Sequence, residues 1–201
     1  MPVPETAKKP LMIYKRDPLP AWQGVAGLEV LASPISFLAR AMEGDPSQLV
    51  VFLEWSSEQE RSTLLELCTV LRRSLATRSV PLGCLLHERH REVLASLRQA
   101  AVRWVSFPAA DQPLLSTLLL APDSGSEAWL RVDEALQEMC PHLNYLPVEG
   151  GREMCVCGAY RNRMVLGRQT LRNLCQESEH LNCPYFLDPH QPAAAARRDT
   201  Y

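Results

Sequence analysis

The chain has 201 residues with 46% hydrophobic content, enough for one full domain plus a smaller appendage and too apolar for intrinsic disorder beyond the ends. Its 21 basic and 23 acidic residues leave a formal net charge of −2, which supplies no basic field for nucleic acid. Residues 1–15 contain no apolar secretory segment and no later stretch reads as a membrane span, so a cytoplasmic protein is expected, with reduced thiols.

Residues 1–9 read as a flexible start. Leu11–Tyr14 and Leu28–Leu31 are strand-like runs. Ser33 is placed to cap a helix with Pro34 at its first position, and Ile35, Leu38, Ala41 and Met42 recur at helical spacing up to Gly44. Leu49–Leu53 is an unbroken apolar run, the pattern of a strand buried on both faces of a parallel sheet. Ser57 and Glu60 have capping-box spacing ahead of a helix whose apolar stripe is Leu64, Cys68, Leu71 and Leu75.

Leu82–Leu86 reads as a further buried strand, followed by a helix with Val93, Leu94, Leu97 and Ala101 inward and a fifth strand over 102–107. Leu114, Leu115, Leu118 and Leu119 mark a last helix before Pro122 and the linker Ser124-Gly125-Ser126. Alternating strands and helices with short connections predict an α/β fold over 10–121, a doubly wound parallel five-stranded sheet of the receiver or flavodoxin kind. Cys68 and Cys84 lie in apolar runs and are expected to act as small hydrophobes.

In the order and spacing of these elements, residues 10–121 resemble the receiver domain of bacterial response regulators. The resemblance implies chemistry at the strand ends: a phosphorylated aspartate after the third strand, an acidic pair for magnesium after the first, Ser or Thr after the fourth and a Lys-Pro after the fifth. This chain has Glu54, then Tyr14-Lys15-Arg16, then Leu86-His87, then Phe107-Pro108 at those places. Without nucleophile, metal-binding carboxylates and cation together, phosphoryl transfer has no mechanism, and the unit reads as a non-catalytic pseudo-receiver. Glu54 is either an ordinary exposed acid or a fixed negative charge that mimics the phosphorylated state; the first is the simpler reading. His87 to Glu92 has two histidines near carboxylates, but charged residues opening a helix are normally its solvated face.

Ser126 to Met139 is expected to be a helix with Trp129, Val132, Leu136 and Met139 on one face, opening a cysteine-rich module over 126–188. Five of the seven cysteines follow: Cys140, Cys155, Cys157, Cys175 and Cys183. Soft thiolates suit zinc or an iron–sulfur cluster, and a unit this small gains its missing stability from such a centre. Cys140, Cys157, Cys175 and Cys183 are the expected ligands. Cys157 is preferred to Cys155 because Gly158 lets the backbone turn, and the neighbour is expected to point away. His142 and His180 are alternates, expected to be exposed.

The succession Cys140-Pro141-His142-Leu143, Cys157-Gly158-Ala159-Tyr160, Leu174-Cys175 and Glu179-His180-Leu181-Asn182-Cys183-Pro184-Tyr185-Phe186 is similar to a cysteine motif at the ends of assorted bacterial signalling and uncharacterised proteins. That resemblance implies a ligand set, not a reaction. Arg152, Arg161, Arg163 and Arg168 with Tyr160 form a basic patch or a solvated loop, and residues 189–201 read as a disordered tail.

Together these features predict a signalling or adaptor protein with a protein partner, no membrane and no nucleic acid. The alternative is an iron–sulfur electron-transfer or accessory subunit of a redox enzyme. A cysteine finger of a transcription factor lacks the basic surface it needs. Oligomeric state is left open.

Overall fold

The computed structural model describes residues 9–18, 20–22, 25–108, 122, 126–149, 152–161 and 164–189. The chain divides into two units, Met1–Asp133 and Glu134–Tyr201. No helix among the described residues is long and apolar enough to cross a membrane.

The first unit is built on strands β1 (Leu11–Tyr14), β2 (Leu28–Leu31), β3 (Gln48–Leu53), β4 (Leu82–Leu86), β5 (Trp104–Ser106) and β6 (Leu130–Arg131). Helices α1 (Pro34–Glu43), α2 (Glu58–Arg73) and α3 (Arg91–Gln99) connect β2 to β3, β3 to β4 and β4 to β5. The sheet order is β2-β1-β3-β4-β5-β6. The first five strands are parallel, in the 2-1-3-4-5 order of doubly wound flavodoxin-like sheets. β3 and β4 are buried at every position, as the unbroken apolar runs require.

Register separates the two faces of this sheet. Tyr14, Val51 and Cys84 lie side by side across β1, β3 and β4, and on their face Tyr14 meets Phe37 of α1 edge-on at 6.0 Å while Cys84 Sγ lies 3.7 Å from Cys68 Sγ of α2. Ile13, Val50 and Gly83 form the adjacent row, which points the other way. There Leu11, Ile13, Val50, Phe52 and Leu85 pack with Trp22 and Trp129. A Cβ on Gly83 would lie 2.4 Å from the Trp129 indole, so this strand position needs glycine for the close approach of the ring.

Several expectations are corrected. The sheet has six strands, not five, because Leu130–Arg131 adds an antiparallel edge to β5. The helix expected over 126–139 is confined to α4 (Val132–Gln137), and Trp129 belongs to the first unit's core. The first unit therefore runs past residue 121, and the division falls within α4. The linker's Ser124 and Gly125, the helix expected at Leu114–Leu119 and both chain ends, 1–8 and 190–201, lie outside the described residues.

Helix faces also differ in detail. α1 starts at its Ser33 cap with Pro34 first, but buries Phe37 and Ala41 while Ile35 and Met42 are exposed. The larger Phe37 ring takes the core. α2 buries Leu64, Leu67, Cys68 and Leu71 and ends at Ser74, leaving Leu75 outside and exposed. α3 buries Val93, Leu94 and Leu97; Ala101, beyond its end, has φ 60° and is exposed.

The second unit contains an antiparallel sheet of β7 (Leu143–Val148), β8 (Arg152–Cys157) and β9 (Met164–Val165) in sequential order. A short helix Arg168–Thr170 continues as a wider π-type turn, Leu171–Cys175. A 3₁₀ segment Ser178–Asn182 and a last helical turn Pro184–Leu187 follow.

Candidate functional sites

In an open α/β sheet, ligands bind beyond the carboxyl ends of the strands where the strand order reverses. Here that crevice lies between β1 and β3, whose following residues are Lys15 and Glu54. Lys15 Nζ lies 2.6 Å from Glu54 Oε1 and 4.8 Å from the centre of the Phe52 ring. His87, after β4, brings Nε2 to 2.8 Å from the same carboxylate oxygen. Burial pushes the Glu54 carboxyl up, but hydrogen bonds from Lys15 and His87 outweigh it and hold the group below the usual carboxylate range.

Glu54 is thus a paired, half-buried group rather than an ordinary exposed acid. Sequence reasoning placed Lys15 where an acidic pair was wanted and noted the lost cation at Phe107, but missed that Lys15 itself supplies a cation from the neighbouring strand. Two chain ends that emerge side by side from adjacent parallel strands were the available signal. An ammonium group in this crevice neutralises the carboxylate that a divalent cation would otherwise use. Phe107 is covered by the Arg89 guanidinium at 5.2 Å from its ring centre.

The remaining histidine of the charged loop does something else. His90 Nδ1 accepts the Val93 N–H at 3.4 Å and caps α3, so His87 and His90 serve different partners. Cys68 and Cys84 are buried core thiols, and their mutual hydrogen bond, then burial, push Cys84 well up and keep it protonated.

The cysteines of the second unit come from separate elements. Cys140 follows α4, Cys157 ends β8, Cys175 ends the π-type turn and Cys183 precedes the last helical turn. All four line one cavity of about 150 Å³, together with His142 and His180. The Cys140 N–H donates to the Cys175 carbonyl at 2.8 Å, which ties two of these segments directly. Phe186 and Tyr185 close the wall, with Phe186 edge-on to both imidazoles at 6.1 and 5.1 Å.

Cys155 is not among the lining residues. It lies on β8 two residues before Cys157, so both project from one face of the strand and are separated by ~6.6 Å along it. The expected opposition of the two side chains is corrected to a difference in reach. Gly158 then matters through close approach: its N–H donates to the His142 carbonyl at 2.7 Å, and a Cβ would lie 2.7 Å from Asn144 Nδ2.

His180 is buried, against expectation, at 3% exposure. Its Nδ1 lies 2.8 Å from the Glu177 carbonyl, which can only accept, so Nδ1 carries the proton of that contact and Nε2 is the nitrogen left for another partner. Metal-binding histidines are commonly oriented by this kind of backbone contact. No sequence spacing announced it. Burial, then the proximity of Cys140, Cys183, Cys157 and Cys155, push the Cys175 thiol up to about 12. The donor set of soft sulfur and imidazole is one that zinc and iron centres take.

Among the described residues no three His, Cys, Asp or Glu side chains come close enough together to hold one metal ion. Of the basic patch, Arg152, Arg161 and Arg168 are exposed, whereas Arg163 lies outside the described residues.

No protein-family profile and no curated protein matches the chain. Among solved structures, the RcsB response regulator of Salmonella typhimurium, described for its conformational dynamism in DNA interaction, is similar at a TM-score of 0.42. The two share 12% identity over 66% of this chain and 69% of that one. The fold assignment rests on the strand order above.

Proposed function

We propose that the chain is a non-catalytic signalling or adaptor protein whose first unit is a degenerate receiver-like platform for a protein partner and whose second unit holds a redox-sensing metal or iron–sulfur centre. The observation that carries this reading is the convergence of Cys140, Cys157, Cys175 and Cys183 on one cavity. Thiols so far apart in sequence that line one cavity wall make sense as ligands. For the first unit, support comes from the Lys15–Glu54 pair, which fills the crevice with the protein's own charges.

Metal analysis of the full chain purified without oxygen tests the second unit. Stoichiometric zinc or iron is expected, and lost in a Cys140→Ser/Cys175→Ser variant; a metal-free protein that also fails to load iron or zinc refutes the centre. Incubation with acetyl phosphate and magnesium tests the first. No phosphoryl group is expected on Glu54, and stable incorporation there would overturn the degenerate reading.

A further inference from the structure

A zinc ion bound by four thiolates stands about 2.3 Å from each sulfur, so the sulfurs lie within ~3.8 Å of one another and enclose nothing but the ion. The four thiols of the second unit line a cavity of about 150 Å³, and among the described residues no three His, Cys, Asp or Glu form a group that could hold a single metal ion. That volume is about ten times the roughly 10–15 Å³ that admits a single water. It is the space of a polyatomic guest. The rest of the wall, with Ala159, Met164, Leu166, Leu174, Tyr185 and Phe186, is largely apolar and offers such a guest a dry surround.

We propose that this guest is a polynuclear iron–sulfur cluster carried by Cys140, Cys157, Cys175 and Cys183, and not a single zinc ion. The inference rests on the reading of these thiols as metal ligands. Each thiol gives its proton to solvent and binds one iron, while inorganic sulfides fill the space between the irons that a mononuclear centre would leave open. Four donors on four separate segments suit a cluster whose outer coordination positions point apart. The fifth thiol, Cys155, one strand step from the wall, is not needed.

The test uses the full chain, loaded anaerobically with sulfide and a mixture of ferric and ferrous iron in one sample and with zinc in another, followed by metal and acid-labile sulfide analysis, visible absorption and Mössbauer spectroscopy. Iron and sulfide are expected in equal amounts, about two or four of each per chain, in a brown protein whose charge-transfer absorption bleaches on reduction. Cys155→Ser is expected to keep that absorption, and Cys157→Ser to lose most of it. Loss in Cys155→Ser with retention in Cys157→Ser overturns the ligand assignment. One equivalent of zinc, with no sulfide taken up in the iron sample, overturns the cluster while leaving a four-thiol centre standing; no loading in either sample overturns both. Should the serine variants fail to fold, cobalt titration of the unaltered chain still decides. Intense tetrahedral thiolate bands saturating at one equivalent count against the cluster, and their absence beside a loaded iron–sulfide sample supports it.

Discussion

Glu54→Gln separates a structural ion pair from a decorative one. Lys15 and Glu54 are 2.6 Å apart with side-chain exposures of 10% and 28%. At an effective dielectric constant of ~20, opposite charges at that distance attract by about 6 kcal/mol, from which desolvation of both groups takes back most. A net coupling of about 1–3 kcal/mol is left. The two single changes are unequal. Glu54→Gln strands the buried ammonium against Phe52 and is expected to cost about 2–3 kcal/mol, whereas Lys15→Met leaves the carboxylate with His87 and water and costs about 1 kcal/mol. Lys15→Met/Glu54→Gln removes both charges and should be more stable than Glu54→Gln alone. Urea unfolding of the four proteins at pH 7 measures the cycle. Additive single effects, or a neutral Glu54→Gln, would show that the pair contributes nothing to the fold.

The same carboxylate predicts a pH dependence: its folded-state pKa is lowered, so its stabilisation is present above the unfolded value near 4.5 and is lost as pH falls through the folded value. The stability gap between the unaltered chain and Glu54→Gln should therefore narrow below about pH 4; a gap constant from pH 7 to pH 3 contradicts this. Gly83→Ala, whose Cβ meets the Trp129 ring at 2.4 Å, is expected to cost at least about 1–3 kcal/mol and to be partly rescued by Trp129→Leu, as thermal unfolding would show. Gly158→Ala pushes on Asn144 and the His142 carbonyl beside Cys157 and, if the proposed centre is bound there, should weaken metal retention about 10–100-fold in a chelator competition, with smaller effects on the first unit's unfolding.

Much of the first unit was legible because strands buried on both faces leave continuous apolar runs, as at 49–53 and 82–86, that few other structures produce. The stretch 126–139 was not. Trp129, Val132, Leu136 and Met139 are all buried and fall at helical spacing, yet the first of them is held by the opposite face of the sheet through the pairing of Leu130–Arg131 with β5. Periodicity reports burial, and it cannot tell which core does the burying. In α1 the stripe was mistaken for a different reason: Ile35 and Phe37 compete for one inward direction, and ring contact with Tyr14 favours Phe37. At the cysteines, spacing identified Cys140, Cys157, Cys175 and Cys183, which share the cavity wall, but gave no hint of His180, whose burial depends on Phe186 and the Glu177 carbonyl.

Charge is handled in opposite ways by the two units. In the first, the crevice carboxylate is already matched by Lys15 and His87, so a small ligand or a phosphoryl group would have to break contacts of 2.6 and 2.8 Å before it gained any of its own. In the second, burial and then the neighbouring cysteines disfavour ionisation of Cys175, and a bound cation of the kind proposed would favour it. On the proposed metal reading, binding free energy gained there would be folding free energy for a unit too small to bury much by itself. A change in the bound centre, by oxidation or by loss of metal, would thus alter the stability of the second unit directly and leave the first unit's ion pair intact. Hydrogen exchange on loaded and stripped protein should accordingly show deprotection concentrated in 140–187, with amides of β3 and β4 unchanged. Equal deprotection of both units would mean that the centre supports the whole chain and that the first unit is no independent platform.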